Sequence, residues 1–196
     1  MIARFQRSVQ AFPDLRVGRL RLVAITPGML EAEREGRLDE LGRLVGARLT
    51  AEWPPVDWEP HVFDFILKQY AVHPETAGWH RYVVLSDRLG LDMLGLDTDW
   101  GRGLSRAVVG AVGGFPKQWG DVEIGYSTLG SYQRRGYATA AAQTLVEYLL
   151  AQYGVRSVSA QTFTRTPESV KVMERCGMTY VGEGDERSSV RYRRMG

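Results

Sequence analysis

The sequence predicts a mixed α/β layer fold, of the α+β type, built on one mostly antiparallel central sheet flanked by helices. Three observations carry this expectation. Short stretches such as "RVGRLRLVAI" (16–25), where Val17, Leu20, Leu22 and Ala24 alternate with polar partners, have the period of a strand. Longer stretches repeat apolar residues every three or four positions, the period of a helix packed on a core. The turn "PKQWG" joins "SRAVVGAVGGF" to "DVEIGYSTL" as an antiparallel hairpin. The order is strand, helices, several antiparallel strands, helix, strand, helix and hairpin, which is the pattern of helices layered on a single sheet.

Each element has local grounds. After the first strand, "TPGMLEAEREG" offers Thr26 as N-cap, Pro27 at the first helical position and Gly36 as a stop. A second helix over 38–49 places Leu38, Leu41, Leu44, Val45 and Leu49 on one face. "TAEWPPVDWEP" is a proline-broken linker. Its tryptophans, Trp53 and Trp58, either rim a cleft or pin the linker to the core. A third helix spans 61–72, a strand 79–87, and a glycine-spaced loop excursion 88–105. A fourth helix follows Gly136 to about Tyr153, with Ala138, Ala142, Leu145, Leu149 and Tyr153 along its apolar face. "VRSVSAQTF" (155–163) is a strand. "TPESVKVMERCG" is a helix with Thr166 as N-cap, Pro167 at N1, Glu168 in the first turn and Gly177 past the end. "MTYVGEGDERSSVRYRR" closes the chain as a hairpin.

The 196 residues suit a single domain (1–196) with an N-terminal arm over 1–15. A net charge of +2 gives no global argument for nucleic acid or an anionic membrane as partner. The N-terminus has no apolar run of the signal-peptide kind, and no stretch approaches the roughly 18 apolar residues that span a bilayer. Cys176 is the only cysteine, so a reducing, cytoplasmic setting is expected, with Cys176 as a small packing residue. A monomer and a homodimer both remain open. His61, His73 and His80 lack compact metal-ligand spacing. "DTDWGRG" (97–103) opens like a calcium loop, but its twelfth position is Val108, so no metal is expected. Arg187, Arg191, Arg193 and Arg194 alternate with Val190 and Tyr192, the pattern of a strand with a solvated face.

The stretch "LGSYQRRGYATAAAQTLVEYLL" (129–150) is less ordinary. A helix start leaves its first N–H groups unpaired and carries partial positive charge. Here Gly136 supplies no capping side chain, and Arg134 and Arg135 add charge. That combination suits a phosphate lying against the backbone; a turn glycine between solvated arginines is the alternative.

"VEIGYSTLGSYQRRGYATAAAQTLVEYLL" and "PESVKVMERCGMTYVGE" together resemble the GCN5-related N-acetyltransferases (GNATs), in particular the branch that acetylates ribosomal-protein N-termini, antibiotics and other amines. Gln133-Arg134-Arg135-Gly136-Tyr137-Ala138 matches their Q/R-x-x-G-x-G/A signature. The resemblance covers roughly 105–183, with weaker agreement from "RLRLVAITPGML". It implies a single GNAT-like domain whose sheet splays near Leu129, and acetyl-CoA as cosubstrate. The pyrophosphate would lie on the backbone N–H groups of Arg134, Arg135, Gly136, Tyr137, Ala138 and Thr139, and the pantetheine arm along Ser127, Thr128 and Leu129. Two positions depart from the family pattern. Thr166 stands where relatives often carry Asn, and Ala140 where many carry Glu.

Acetyl transfer needs a neutral amine, a proton acceptor and a donor for the thioester oxygen. An α-amine with pKa near ~7.7 needs less help than a lysine near ~10.4. In "DVEIGY", Glu123 shares a strand face with Asp121 and Gly125, and the resemblance makes it the candidate base; an ordinary strand carboxylate is the alternative. The resemblance makes Ser169 a candidate to protonate the leaving thiolate, with a helix-start serine that satisfies a backbone donor as the alternative and Tyr132, Tyr137, Tyr180 and solvent open; a backbone N–H near Leu129 is the candidate oxyanion donor. The acceptor is expected between the early helices, the 88–105 loop and Glu123. It is a primary amine, either a small molecule or a protein N-terminus. A non-catalytic acyl-CoA-binding module is the alternative function.

Overall fold

The computed structural model describes residues 12–55, 58, 60–86 and 106–196. The expected loop at 88–105, and all but the last few residues of the expected arm, lie outside the described residues. The described elements run in the order β1 (Leu15–Val17), β2 (Leu20–Ala24), α1 (Pro27–Arg34), α2 (Leu38–Val45), α3 (Pro60–Val72), β3 (Arg81–Ser86), β4 (Arg106–Pro116), β5 (Asp121–Thr128), α4 (Tyr137–Leu150), β6 (Ser157–Phe163), α5 (Pro167–Arg175), β7 (Thr179–Glu183) and β8 (Ser189–Met195).

All eight strands join one sheet in the order β1-β2-β3-β4-β5-β6-β8-β7. Every neighbouring pair is antiparallel except β5 and β6, which run parallel and are connected through α4. The mostly antiparallel α+β layer fold expected from the sequence is therefore present. The first strand is corrected: residues 16–25 are not one strand but a tight hairpin, with Val17 paired to Leu20 across Gly18 and Arg19. Gly18 has φ +53°, which a two-residue turn needs if its twist is to match the flanking strands.

The sheet buries both faces. On one side Leu22, Val83, Val109, Val122, Ile124 and Val158 pack under α4 and α5 through Ala142, Leu145, Leu149 and Met173. On the other, Val23, Tyr82, Val84 and Ala111 pack under α1, α2 and α3 through Leu30, Leu41, Phe63 and Ile66. Because β3 is covered on both faces, all six of its residues are buried, and its sequence reads as a near-continuous apolar run.

The caps explain most helix bounds. Thr26 Oγ1 accepts from the Met29 N–H at 3.3 Å, with Pro27 at the first position, and α2 stops at Gly46 in the left-handed region. Two helix expectations are corrected. Leu38 and Leu44 are exposed at 42% and 46%, because α2 turns only Leu41 and Val45 inward. α4 ends at Leu150, and Tyr153 beyond it is fully exposed.

Strands β4 and β5 approach so closely that a Cβ on Gly110 would stand 2.2 Å from the Ser127 carbonyl oxygen. At Gly125, the nearest atom is a Phe115 ring carbon at 3.5 Å, an ordinary contact. Gly110→Ala should therefore cost about 2 kcal/mol or more of folding stability, the scale of overpacking. Gly125→Ala should stay within about 1 kcal/mol of the parent. Urea denaturation of both variants checks this; equal losses would contradict the register.

Candidate functional site

The site begins where two strands part. β5 and β6 pair only through Asp121↔Ser157, Val122↔Val158 and Glu123↔Ser159. Beyond Glu123 the strands diverge, so the opening starts well before Leu129, where the sequence had placed it. Ligands of open α/β sheets characteristically bind outside the carboxyl ends of strands at such a divergence. The Leu129 N–H donates to the Val109 carbonyl at 2.9 Å. The Leu129 N–H itself is thus already committed to β4, so an oxyanion donor near Leu129 has to be one of its neighbours. In an antiparallel ladder the groups alternate in direction. With Leu129 turned toward β4, the N–H groups of Tyr126 and Thr128 turn away from it, toward the opening. The Thr128 carbonyl accepts from Gln133 Nε2 at 3.0 Å, which ties the following turn back to the strand. The Ser131 N–H, one residue into that turn, donates to Glu52 Oε2 at 3.0 Å, and hydrogen bonds from the Ser131 side chain and backbone hold the Glu52 carboxyl below its ordinary range.

The turn leads into α4 through two left-handed residues, Arg134 at φ +58° and Gly136 at φ +80°. Arg135 between them is not left-handed. Such alternation directs successive N–H groups into one concavity, a backbone anion nest. Gly136 is the N-cap of α4 and provides no side-chain cap. The first intrahelical bond runs from the Ala140 N–H to the Gly136 carbonyl at 3.0 Å, so the N–H groups of Tyr137, Ala138 and Thr139 precede the helical ladder. A Cβ on Gly136 would meet nothing within 4 Å. Its positive φ alone therefore accounts for a glycine, and the space above it is open.

A cleft of about 490 Å³ lies here, between the end of β5, the start of α4 and the first turns of α5. Ser127, Thr128, Arg134, Gly136, Tyr137, Ala138, Thr139 and Ser169 all line it. Leu129 is 2% exposed and lies behind it, and Arg135 stacks on the Tyr132 ring at 5.9 Å outside the lining. Tyr132 and Tyr137 line the cleft; Tyr180 packs on Tyr192 at the sheet edge instead. Lys171 and Arg175, one turn apart on α5, add positive charge that was not assigned to any site from the sequence. Thr166 is at the N-cap position of α5, but its hydroxyl does not cap the helix and turns back to the Phe163 carbonyl at 2.6 Å. Tyr126, also missed, donates its hydroxyl to the Ser169 carbonyl at 3.0 Å and so fastens α5 across the opening; burial pushes its phenol well above the ordinary range.

A second cavity, of about 250 Å³, lies on the opposite face of the sheet, against α3. Tyr126 and Ser127 border both cavities. Its walls include Trp58, Val62, His80 and Phe115 over the cross-strand pair Gly113↔Gly125. Trp58 and Trp53 both donate to Glu33 Oε1, at 3.0 Å and 2.6 Å, while the Tyr82 hydroxyl donates to Oε2 at 2.5 Å. Trp53 is thus pinned to the core and Trp58 is both anchored and cavity-lining. Burial raises the Glu33 carboxyl despite those three donors. Gln69 Nε2 donates to the Gly114 carbonyl at 3.1 Å, so its Oε1 faces His80 Nε2 at 3.1 Å as acceptor. His80 therefore carries its proton on Nε2, and burial holds its pKa down to about 3.

Glu123 stands at the last β5–β6 pair and outside the lining of both cavities. Its carboxylate meets Lys117 Nζ at 3.5 Å, Arg191 Nη2 at 3.8 Å and Gln161 Nε2 at 3.2 Å. Three of the four C-terminal arginines are correspondingly paired rather than simply solvated: Arg191 also pairs with Asp185 at 2.6 Å, Arg193 with Asp121 at 3.7 Å and Arg194 with Glu147 at 2.7 Å, while Arg187 is exposed. Cys176 is buried in the α4–α5 core, where desolvation raises its thiol to about 11. Among the described residues, no group of three or more His, Cys, Asp or Glu could hold a metal ion, and no helix is long and apolar enough to cross a membrane.

The family model described as Acetyltransferase (GNAT) domain matches residues 36–179. The chain belongs to the GNAT family. It is an N-acetyltransferase. The uncharacterized N-acetyltransferase YjdG of Bacillus subtilis (strain 168) is 26% identical over 168 residues, covering 83% of this chain and 88% of that protein. Solved structures share the fold. An acetyltransferase from Agrobacterium tumefaciens str. C58 superposes with a TM-score of 0.59 at 20% identity, over 94% of this chain and 95% of that one. RimL, a ribosomal L7/L12 α-N-protein acetyltransferase in complex with coenzyme A, gives a TM-score of 0.59 at 15% identity, over 93% and 98%. A mutant of the spermidine N-acetyltransferase SpeG from Vibrio cholerae gives 0.52 at 14%, over 89% and 94%.

His80 makes the acetyltransferase acid-sensitive. The unfolded chain binds a proton on this imidazole near the ordinary histidine value of 6.5, while the folded chain resists it until about 3. Stability should therefore fall as pH drops through that window, by about 1.4 kcal/mol per pH unit from this residue alone. Urea titrations between pH 4.5 and 7 should show this slope reduced in His80→Gln relative to the parent; parallel curves would contradict a neutral buried imidazole.

Proposed function

We propose that this N-acetyltransferase moves an acetyl group directly from acetyl-CoA to a primary amine, with donor and acceptor on opposite faces of β5. One observation carries the reading: the two cavities share Tyr126 and Ser127 at the place where the sheet has parted. A donor in the basic cleft and an acceptor in the cavity against α3 meet there without a covalent relay.

The residues fit coenzyme A. The N–H groups from Arg134 to Thr139 form a nest at an uncapped helix start, which favours the pyrophosphate. Arg134, Lys171 and Arg175 supply charge along the cleft, and Arg135 stands beside it. Ser127, Thr128 and Leu129 flank the pantetheine arm, with the N–H groups of Tyr126 and Thr128 available to amide carbonyls of the arm and to the thioester oxygen as negative charge develops. Ser169 faces the cleft, where its hydroxyl relays a proton from solvent to the leaving thiolate, taking one from water as it gives up its own. Glu123 shares a strand face with Gly125 and Ser127, the face of the acceptor cavity. With Lys117 and Arg191 on its carboxylate, it takes the amine proton through an intervening water. Like the family members it resembles, the enzyme acts on a small-molecule amine or a protein N-terminus.

Calorimetry should show coenzyme A binding, with a higher melting temperature on saturation. Gly136→Val forces a branched side chain into the left-handed region, costing about 1–2 kcal/mol of stability, and should lower coenzyme A affinity by at least about tenfold. An equal stability loss with unchanged affinity would reduce Gly136 to a turn residue.

Glu123→Gln should bind coenzyme A as the parent does, while turnover falls by about 10²-fold at neutral pH. The deficit should shrink as pH rises, because an amine already neutral needs no acceptor. A pH-independent deficit would assign Glu123 to holding the sheet, and near-normal turnover would remove it from the reaction.

A further inference from the structure

The acceptor cavity has a chemistry of its own, and the inference that follows rests on the donor–acceptor assignment just made. We propose that the acceptor is a monoamine whose amino group sits a few bonds from an aromatic ring or an apolar group of that size, and that polyamines are excluded. The cavity of about 250 Å³ exceeds the roughly 150 Å³ that suffices for benzene in an apolar pocket. Its apolar walls are Trp58, Val62, Ala111, Val112 and Phe115. Among the described lining residues there is no Asp, Glu, Lys or Arg. A second ammonium placed among these described walls would meet no carboxylate, and an unpaired buried charge is strongly disfavoured. The one imidazole is no substitute: His80 stays neutral with its proton directed at Gln69.

The walls are held in place. Phe115 packs against Phe65 and His80 with ring centroids at 5.4 Å and 4.9 Å. Trp58 is fixed by Glu33 at 3.0 Å and by Phe63 at 5.9 Å. Such aromatic walls favour offset or edge-on contact with another ring.

The floor is the second, independent observation. Gly113 and Gly125 face each other across β4 and β5, leaving bare backbone. Gly113 is demanded by packing, since a Cβ there would stand 2.2 Å from His80 Nδ1. Gly125 is not: its φ lies outside the left-handed region and a Cβ would make only an ordinary contact with Phe115 at 3.5 Å. A glycine in mid-strand that neither backbone nor packing requires leaves room above the sheet where a ligand approaches closely.

The test is thiol release from saturating acetyl-CoA with four acceptors: phenethylamine, a short peptide beginning with Phe, propylamine and spermidine. Phenethylamine or the peptide should exceed spermidine in kcat/KM by about 100-fold or more, and the better of the two identifies the source of the ring. Gly125→Val, or the milder Gly125→Ala if the first does not fold, should lower the ratio of phenethylamine to propylamine turnover by about tenfold or more. Spermidine as the best acceptor, or a ratio unmoved in a folded Gly125 variant, would overturn the substrate class while leaving acetyl transfer intact. No coenzyme A binding and no thiol release with any amine would overturn the underlying assignment, and this proposal with it.

Discussion

The short parallel ladder between β5 and β6 is the constraint on which the rest of the molecule depends. It ends at Glu123↔Ser159 while both strands continue, β5 to Thr128 and β6 to Phe163. A sheet that parts in its interior leaves backbone donors without a neighbouring strand, and buried donors need partners. Here the parting turns Tyr126 and Thr128 toward open space and sets the start of α4 beside them. Tyr126 reaches the Ser169 carbonyl at 3.0 Å, so the gap is bridged by a hydrogen bond rather than closed by strand pairing. The opening is a built feature with its own fastener.

The two faces of that opening differ in electrostatics. On the α4–α5 face an uncapped helix start, a left-handed nest and the side chains of Arg134, Lys171 and Arg175 gather positive potential. On the α1–α3 face the polar groups around the cavity are paired within the protein: Glu33 by three donors, His80 by Gln69. A half-satisfied network there would be costly, whereas a complete one rigidifies the walls. One face suits a phosphate-bearing donor and the other a largely desolvated acceptor, with the backbone of Tyr126 and Ser127 between them.

Much of this was legible in the sequence because it rests on local chemistry. Thr26, Pro27 and Gly36 mark the ends of α1 whatever the tertiary context, whereas Gly46, which ends α2, lies inside the helix expected to reach 49. The loop around Gly136 was legible for the same reason: an absent cap beside two arginines is a local anomaly. What escaped depends on neighbours distant in sequence. Gly18 read as a strand residue because the alternation continues in phase on both sides of the turn. Which N–H near Leu129 faces the opening was not legible, because the acceptor of the Leu129 N–H, Val109, lies on another strand. Lys171 and Arg175 gave no signal as site residues, because the cleft they border forms only when α5 packs beside β5. The C-terminal arginines read as solvated because Asp121, Glu123 and Glu147 arrive from other elements. His80 and Gly125 gave no signal at all, since a cavity is a property of the assembled layers.

The most direct test of the central claim is amide hydrogen exchange on the acetyltransferase with and without saturating coenzyme A. If the parted sheet and the start of α4 form the donor groove, the amides of Tyr126 and Thr128 and those from Arg135 to Thr139 should exchange slowly only when coenzyme A is present. The Leu129 amide, bonded to Val109 in either state, should stay protected throughout. Protection that appears elsewhere, with Tyr126 and Thr128 unchanged at saturation, would contradict the account.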